Sequence, residues 1–134
     1  MRLNTYTLNK LVRKNDIARM QADDVQVQVA EPLEREEYLQ KLHAKLGEEV
    51  AEMKAATNPK KRVEELADII EVVREICRES NYTLAEMEQM RSAKFRERGG
   101  FSRKNYVTLA HCPPGSRFDD MFALEPHKTP LVKK

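Results

Sequence analysis

LGEEVAEM (residues 46–53) and EELADIIEVV (residues 64–73) place four carboxylates in two i, i+3 pairs, Glu49 with Glu52 and Glu65 with Asp68. At about 100° per residue on an α-helix, Leu39, Leu42, Leu46, Val50 and Met53 form one apolar stripe, and Glu49 falls inside its edge. A second helix repeats the arrangement. Val63, Leu66, Ile69, Ile70, Val72, Val73, Ile76 and Cys77 fill roughly half its circumference, Glu65 projects between Val72 and Ile76, and Asp68 sits on the border of the arc. Charges that only keep a helix in water belong opposite the core, where Glu64, Glu71, Arg74, Glu75 and Arg78 lie. Glu49 and Glu65 depart from that rule.

A carboxylate in an apolar setting must protonate, pair with a cation or coordinate a metal, because leaving it bare costs several kcal/mol. Four converging oxygen ligands with no His or Cys nearby point to a hard cation, Mg²⁺ or Mn²⁺. The competing reading is two acidic helices with ordinary i, i+4 pairs such as Glu49 with Lys45. Any single E-x-x-E is well explained that way; the doubled pattern on two apolar borders favours the metal.

The turn Thr57-Asn58-Pro59 separates a helix over about 35–56 from one over about 60–79 and makes them antiparallel neighbours. Upstream, Leu8, Leu11, Val12 and Ile17 predict a helix from Thr7 to about Gln21. Val25, Val27 and Val29 alternate with glutamines as in a half-buried strand, which Pro32 ends. Downstream, Thr83 and Glu86 form a capping box that opens a third helix, closed by Gly99-Gly100. On it Arg91, Lys94 and Arg98 make a row beside Leu84, Met87 and Phe95. Such a row either lays its stems over the core edge or faces the carboxylates and takes phosphate oxygens, as Lys45 can. Asn105 to Leu109 predicts a second strand pairing with 25–29. After His111 four prolines in the last 22 residues suggest a poorly packed tail over 111–134, leaving residues 1–110 as the domain.

The 134 residues suit one domain. Charged residues are 34% of the chain, yet the net charge is only +2 and no long basic run is present, which argues against nucleic-acid binding. Cys77 and Cys112 have neither ligand spacing nor a disulfide framework, as expected of a reducing cytoplasm. No apolar run approaches a membrane span, and MRLNTYTLNK lacks the apolar region of a signal peptide. His43 reads as a hydrogen-bonded structural residue, and His111 and His127 fall in or near the tail. No Ser-His-Asp set and no G-x-x-x-x-G-K loop can be assembled, which removes the P-loop reading.

E-E-x-x-E in Glu48, Glu49 and Glu52, followed by E-x-x-D in Glu65 and Asp68, resembles the signature of the MazG superfamily of all-α nucleoside triphosphate pyrophosphohydrolases. Lys10-Leu11-Val12-Arg13, the Tyr38 to Leu46 stretch, and Lys94 to Phe101 resemble one branch, the house-cleaning pyrophosphohydrolases related to phosphoribosyl-ATP pyrophosphohydrolase. The resemblance covers roughly residues 8–107 and departs at Lys14-Asn15-Asp16, where one extra residue interrupts the pattern.

It implies a mainly α helical bundle of that type, here with a small two-stranded β ribbon. It also implies Mg²⁺-dependent hydrolysis of a nucleoside triphosphate to monophosphate and pyrophosphate. Glu49, Glu52, Glu65 and Asp68 would ligate Mg²⁺ (or Mn²⁺), and Glu48 and Glu49 would be the catalytic carboxylates. Lys10, Arg13, Lys45, Arg91, Lys94 and Arg98 would bind substrate, with Tyr38 and Phe101 as stacking candidates. Phosphoribosyl-ATP is the alternative substrate, and a noncatalytic nucleotide-binding or interaction module the alternative class. A homodimer or higher homo-oligomer is expected, since the apolar arc of the second helix is wider than its own chain can cover.

Overall fold

The computed structural model describes residues 2–132. Its elements are α1 (Asp16–Ala22), α2 (Arg35–Ala55), α3 (Pro59–Glu79), α4 (Leu84–Arg98) and α5 (Arg117–Leu124). The chain divides into two compact units, Met1–Glu97 and Arg98–Lys134. The fold is mainly α, and no strand occurs among the described residues. No described helix is long and apolar enough to cross a membrane.

In the first unit the antiparallel pair α2 and α3 is, among the described residues, the only helix pair that packs together. Glu36 and Glu37 in the first turn of α2 complement the helix dipole. The helix ends where Ala56 turns extended, and Asn58 caps the next, its Oδ1 accepting from the Lys61 amide at 2.8 Å with Pro59 in the first turn. Arg35 at the start of α2 ties to the Glu79 carbonyl at the end of α3, so the hairpin is held at its open end too. Between these points Leu42 and Val72 are the buried apolar residues.

α3 has more apolar surface than α2 covers. Val63, Leu66 and Ile70 stand at i, i+3, i+7 and remain exposed, at 62%, 42% and 50%. That stripe lies about 145° around the helix from Val72 and Glu65. The broad arc read from the sequence thus has one side packed on α2 and one side open.

α4 opens on the expected capping box: Thr83 Oγ1 accepts from the Glu86 amide at 3.0 Å, while the Thr83 amide donates to Glu86 Oε1 at 3.3 Å. It closes at Gly99, whose φ of +76° is the left-handed conformation that glycine adopts without cost.

Two expected elements are corrected. The helix over 7–21 shrinks to α1, because Asn9 has a φ of +46° and helical structure begins only after the turn in which Arg13 N–H donates to Asp16 Oδ2 at 2.8 Å. The ribbon of 25–29 with 105–109 is absent. Val25 N–H instead donates to the Met20 carbonyl at 3.0 Å, and Val29, Tyr106, Val107 and Leu109 are all exposed. Alternating valines without a partner ladder have nothing to hold them as a strand.

The second unit contains α5 inside the stretch read as a poorly packed tail. Ser116 Oγ accepts from the Asp119 amide at 3.3 Å, and the Phe118 and Phe122 rings lie 6.0 Å apart. None of its residues is buried.

Candidate metal centre

About a third of the way from the turn along the α2–α3 hairpin, the facing positions that should hold apolar side chains hold Glu49 and Glu65. They are 6% and 4% exposed, as buried as Leu42 and Val72. Each has one oxygen with a cation beside it, Lys45 Nζ at 3.3 Å from Glu49 Oε1 and Lys61 Nζ at 3.0 Å from Glu65 Oε1. The second oxygens, Glu49 Oε2 and Glu65 Oε2, are buried with no hydrogen-bond partner. A buried carboxylate oxygen without a donor is costly, and native structures rarely keep one without an ion or water to satisfy it.

The remaining carboxylates gather around these two. Ligand atoms of Glu48, Glu49 and Glu52 lie within 4.8 Å of one another, as do those of Glu49, Glu65 and Asp68, so Glu49 belongs to both sets. The i, i+3 spacing read from the sequence therefore brings both pairs to one place, one from each helix. Glu48 is half-buried, between Lys45 at 3.4 Å and Lys10 at 3.7 Å. Asp68 Oδ1 accepts from Arg13 Nη2 at 2.6 Å.

The electrostatics separate the members. Partial desolvation and then the Glu49 charge push the Glu52 carboxyl up from the usual carboxylate range. Lys61 draws Glu65 down by hydrogen bonding, against the opposing effect of its burial. Burial works against the Lys45 ammonium, but Glu49 and Glu48 beside it hold its pKa above the usual lysine value. Cations thus neutralise Glu48, Glu49, Glu65 and Asp68 individually, while Glu52 carries the repulsion of the group. An all-oxygen set with two vacant buried acceptors fits a hard divalent cation.

Of the six cations expected at the site, Lys10, Arg13 and Lys45 are there. Arg91 and Lys94 are not brought to it: α4 packs against neither α2 nor α3, both side chains are exposed, and Arg91 pairs with Glu88 on its own helix at 2.6 Å. The left-handed Asn81, at φ +64°, redirects the chain between α3 and α4. Arg98 begins the second unit and is exposed. Lys61 is a site residue that the helical patterning overlooked. Its signal was its place four residues before Glu65, the same spacing that links Lys45 to Glu49.

A cleft of about 810 Å³ opens beside the carboxylates, between residues 10–19 and the hairpin. Glu49 and Asp68 line one part of it and Tyr38 and Glu75 another, over an apolar floor that includes Leu42 and Val72. Its volume is within the roughly 300–1,000 Å³ usual for small-molecule sites. Tyr38 Oη donates to Glu75 Oε2 at 3.1 Å. Burial first, and then Glu75, raise the Tyr38 pKa, so the phenol is protonated at neutral pH.

Comparison of the chain with protein-family models, with curated proteins and with solved structures finds no match.

Proposed function

We propose that the chain is a Mg²⁺-dependent nucleoside triphosphate pyrophosphohydrolase, with the hairpin carboxylates as its metal centre. The observation that carries this reading is the pair of buried, donor-less oxygens on Glu49 and Glu65, facing one another from two helices with Glu52 and Asp68 alongside. Such an arrangement is unfavourable in a purely structural hairpin and is resolved by a divalent ion. The motif resemblance adds the reaction class, and the cleft next to the carboxylates has room for the rest of a nucleotide.

Bound Mg²⁺, or Mn²⁺, would supply charge neutralisation for phosphate oxygens and a water of lowered pKa. Glu49, Glu52, Glu65 and Asp68 would hold it. Lys10, Arg13 and Lys45 flank the carboxylates on the cleft side, where they would bind the non-bridging phosphate oxygens. Glu48, held between two lysines, would position or deprotonate the attacking water, with Glu49 as the other catalytic carboxylate. Phosphoryl transfer is governed by positioning and charge stabilisation, which a rigid pair of helices supplies.

The open stripe of Val63, Leu66 and Ile70 supports assembly into at least a homodimer, in which a second copy covers what α2 leaves bare.

The test is pyrophosphate release from nucleoside triphosphates with Mg²⁺, with chelator, and with Glu65→Gln. Metal-dependent release that Glu65→Gln abolishes, with the fold intact by circular dichroism, is the expected result. No release from any nucleotide, or release unaffected by chelator, would refute the reading.

A further inference from the structure

The carboxylates occupy only one end of the cleft. On α3, Glu75 stands two turns beyond Asp68, about 10 Å along the helix axis, and lines the same cleft. Opposite it, the α2 residue Tyr38 presents a half-buried phenol ring. Between the two ends Leu42 and Val72 form an apolar floor, with Glu71 on the α3 wall beside it. The cleft therefore differs along its length: the carboxylate cluster with Lys10, Arg13 and Lys45 at one end, an apolar floor in the middle, and at the other an aromatic ring with the Glu75 carboxylate, which Arg78 flanks.

Resting on the metal-dependent reading above, we infer that the Tyr38–Glu75 end is the base pocket and that it selects a base presenting two adjacent N–H donors, the guanine edge. With the triphosphate at the carboxylate end, the base of the same nucleotide extends towards Tyr38 and Glu75. The apolar floor and the phenol ring suit a ring system, as aromatic side chains do for bases. The recognising group is Glu75, and an ionised carboxylate only accepts hydrogen bonds.

Guanine offers its N1–H and N2–H side by side to such a pair of oxygens. Adenine and cytosine each place a ring-nitrogen acceptor beside their amino group, which a carboxylate repels. Uracil has a single N–H flanked by carbonyls, which it also repels. Glu75 is half-buried, 32% exposed, with Arg78 Nη1 3.7 Å from its Oε1, and a wrong base edge leaves this partly desolvated carboxylate unmatched. Tyr38 contributes its ring, and its hydroxyl donates to Oε2, taking one lone pair of that oxygen and leaving the other for the base.

The experiment is calorimetric titration of the full chain, with Mg²⁺ present, by GMP, AMP, CMP and UMP, which lack the anhydride that would be cleaved. GMP is expected to bind about tenfold or more tightly than the others, the discrimination typical of one bidentate pair. Glu75→Gln replaces one acceptor by a donor, matching the adenine edge, so it should reverse the order of GMP and AMP. Tyr38→Phe keeps the ring and frees an acceptor lone pair on Glu75; it should preserve the guanine preference, and it tests the pocket even if Glu75→Gln fails to fold.

Four monophosphates binding within twofold of one another, or an unchanged ranking in a folded Glu75→Gln, would overturn the base pocket. So would loss of the guanine preference in Tyr38→Phe. Pyrophosphate release read in parallel separates the two readings. Release from all four triphosphates without a base ranking overturns the base pocket alone. A guanine ranking in binding with no release from any triphosphate upholds the pocket and overturns the hydrolase.

Discussion

Arg13 Nη2 and Asp68 Oδ1, 55 positions apart in the chain, are joined by a 2.6 Å ion pair at the edge of the carboxylate cluster. Arg13 stands where a metal ion would draw on the same oxygen, so guanidinium and metal would compete for Asp68. Both side chains are substantially exposed, at 58% and 40%, and an exposed pair is worth only about 0.2–1 kcal/mol. Arg13→Ala is therefore expected to tighten Mn²⁺ binding by about two- to fivefold in calorimetric titration, while raising KM for the magnesium–nucleotide complex through loss of a phosphate contact. Weaker Mn²⁺ binding in the variant would mean that Arg13 supports the site instead of competing for it.

Metal binding should appear as thermal stability. Glu49 and Glu65 each leave an oxygen unsatisfied, and desolvation followed by the Glu49 charge raises the Glu52 carboxyl, so an ion that binds only the folded state removes a penalty as well as adding affinity. At an Mg²⁺ concentration about 100 times Kd the stabilisation is about 2.7 kcal/mol, and Tm should rise by roughly 10 °C. In Glu49→Gln, which keeps the shape and removes the carboxylate common to both ligand sets, the rise should vanish. An Mg²⁺-independent Tm in the unaltered chain would exclude the centre.

The exposed stripe on α3 makes a separable prediction. Ile70→Glu puts a charge into the middle of Val63, Leu66 and Ile70 without touching the packed side of the helix. Light scattering should show the unaltered chain at twice 15.6 kDa or more and the variant at the monomer mass, with little change in circular dichroism. An unaltered chain that is monomeric at micromolar concentration would leave the stripe without a second copy to cover it.

Asn58 holds the start of α3 through its side chain, accepting from the Lys61 amide. Asn58→Ala should lower stability by about 1 kcal/mol, the usual cost of a lost N-cap, read from urea unfolding.

The α2–α3 hairpin was legible because several independent signals agreed on it: an Asn-Pro turn, two apolar arcs, and carboxylates inside those arcs instead of opposite them. Burial of Glu49 and Glu65 followed from helical periodicity alone. The α4 start was legible for a similar reason, since Thr83 and Glu86 are a local device that works within one turn. The destination of Arg91 and Lys94 was not. Their alignment is a property of one helix, but where that helix goes depends on backbone angles at Asn81, which periodicity does not encode. The alternating Val25, Val27 and Val29 misled because a strand is stable only with a neighbour, and nothing in its own pattern says whether one arrives. In α5, Ser116 and Asp119 carried a cap signal that the surrounding prolines outweighed in a compositional reading.

The Asn58–Pro59 turn has a bearing on the order of folding. Glu49 and Glu52 lie just before it and Glu65 and Asp68 just after, so the four carboxylates meet by closing a single short loop. Closure of that kind costs little chain entropy and needs no distant segment to arrive first. Like charges are thus forced together as soon as the hairpin forms, while residues 10–13, which bring Lys10 and Arg13, reach the site across a much longer stretch of chain. Free Mg²⁺ in the folding medium should consequently speed hairpin formation more than any change to the N-terminal segment does, and refolding rates measured with and without the ion would read that order directly.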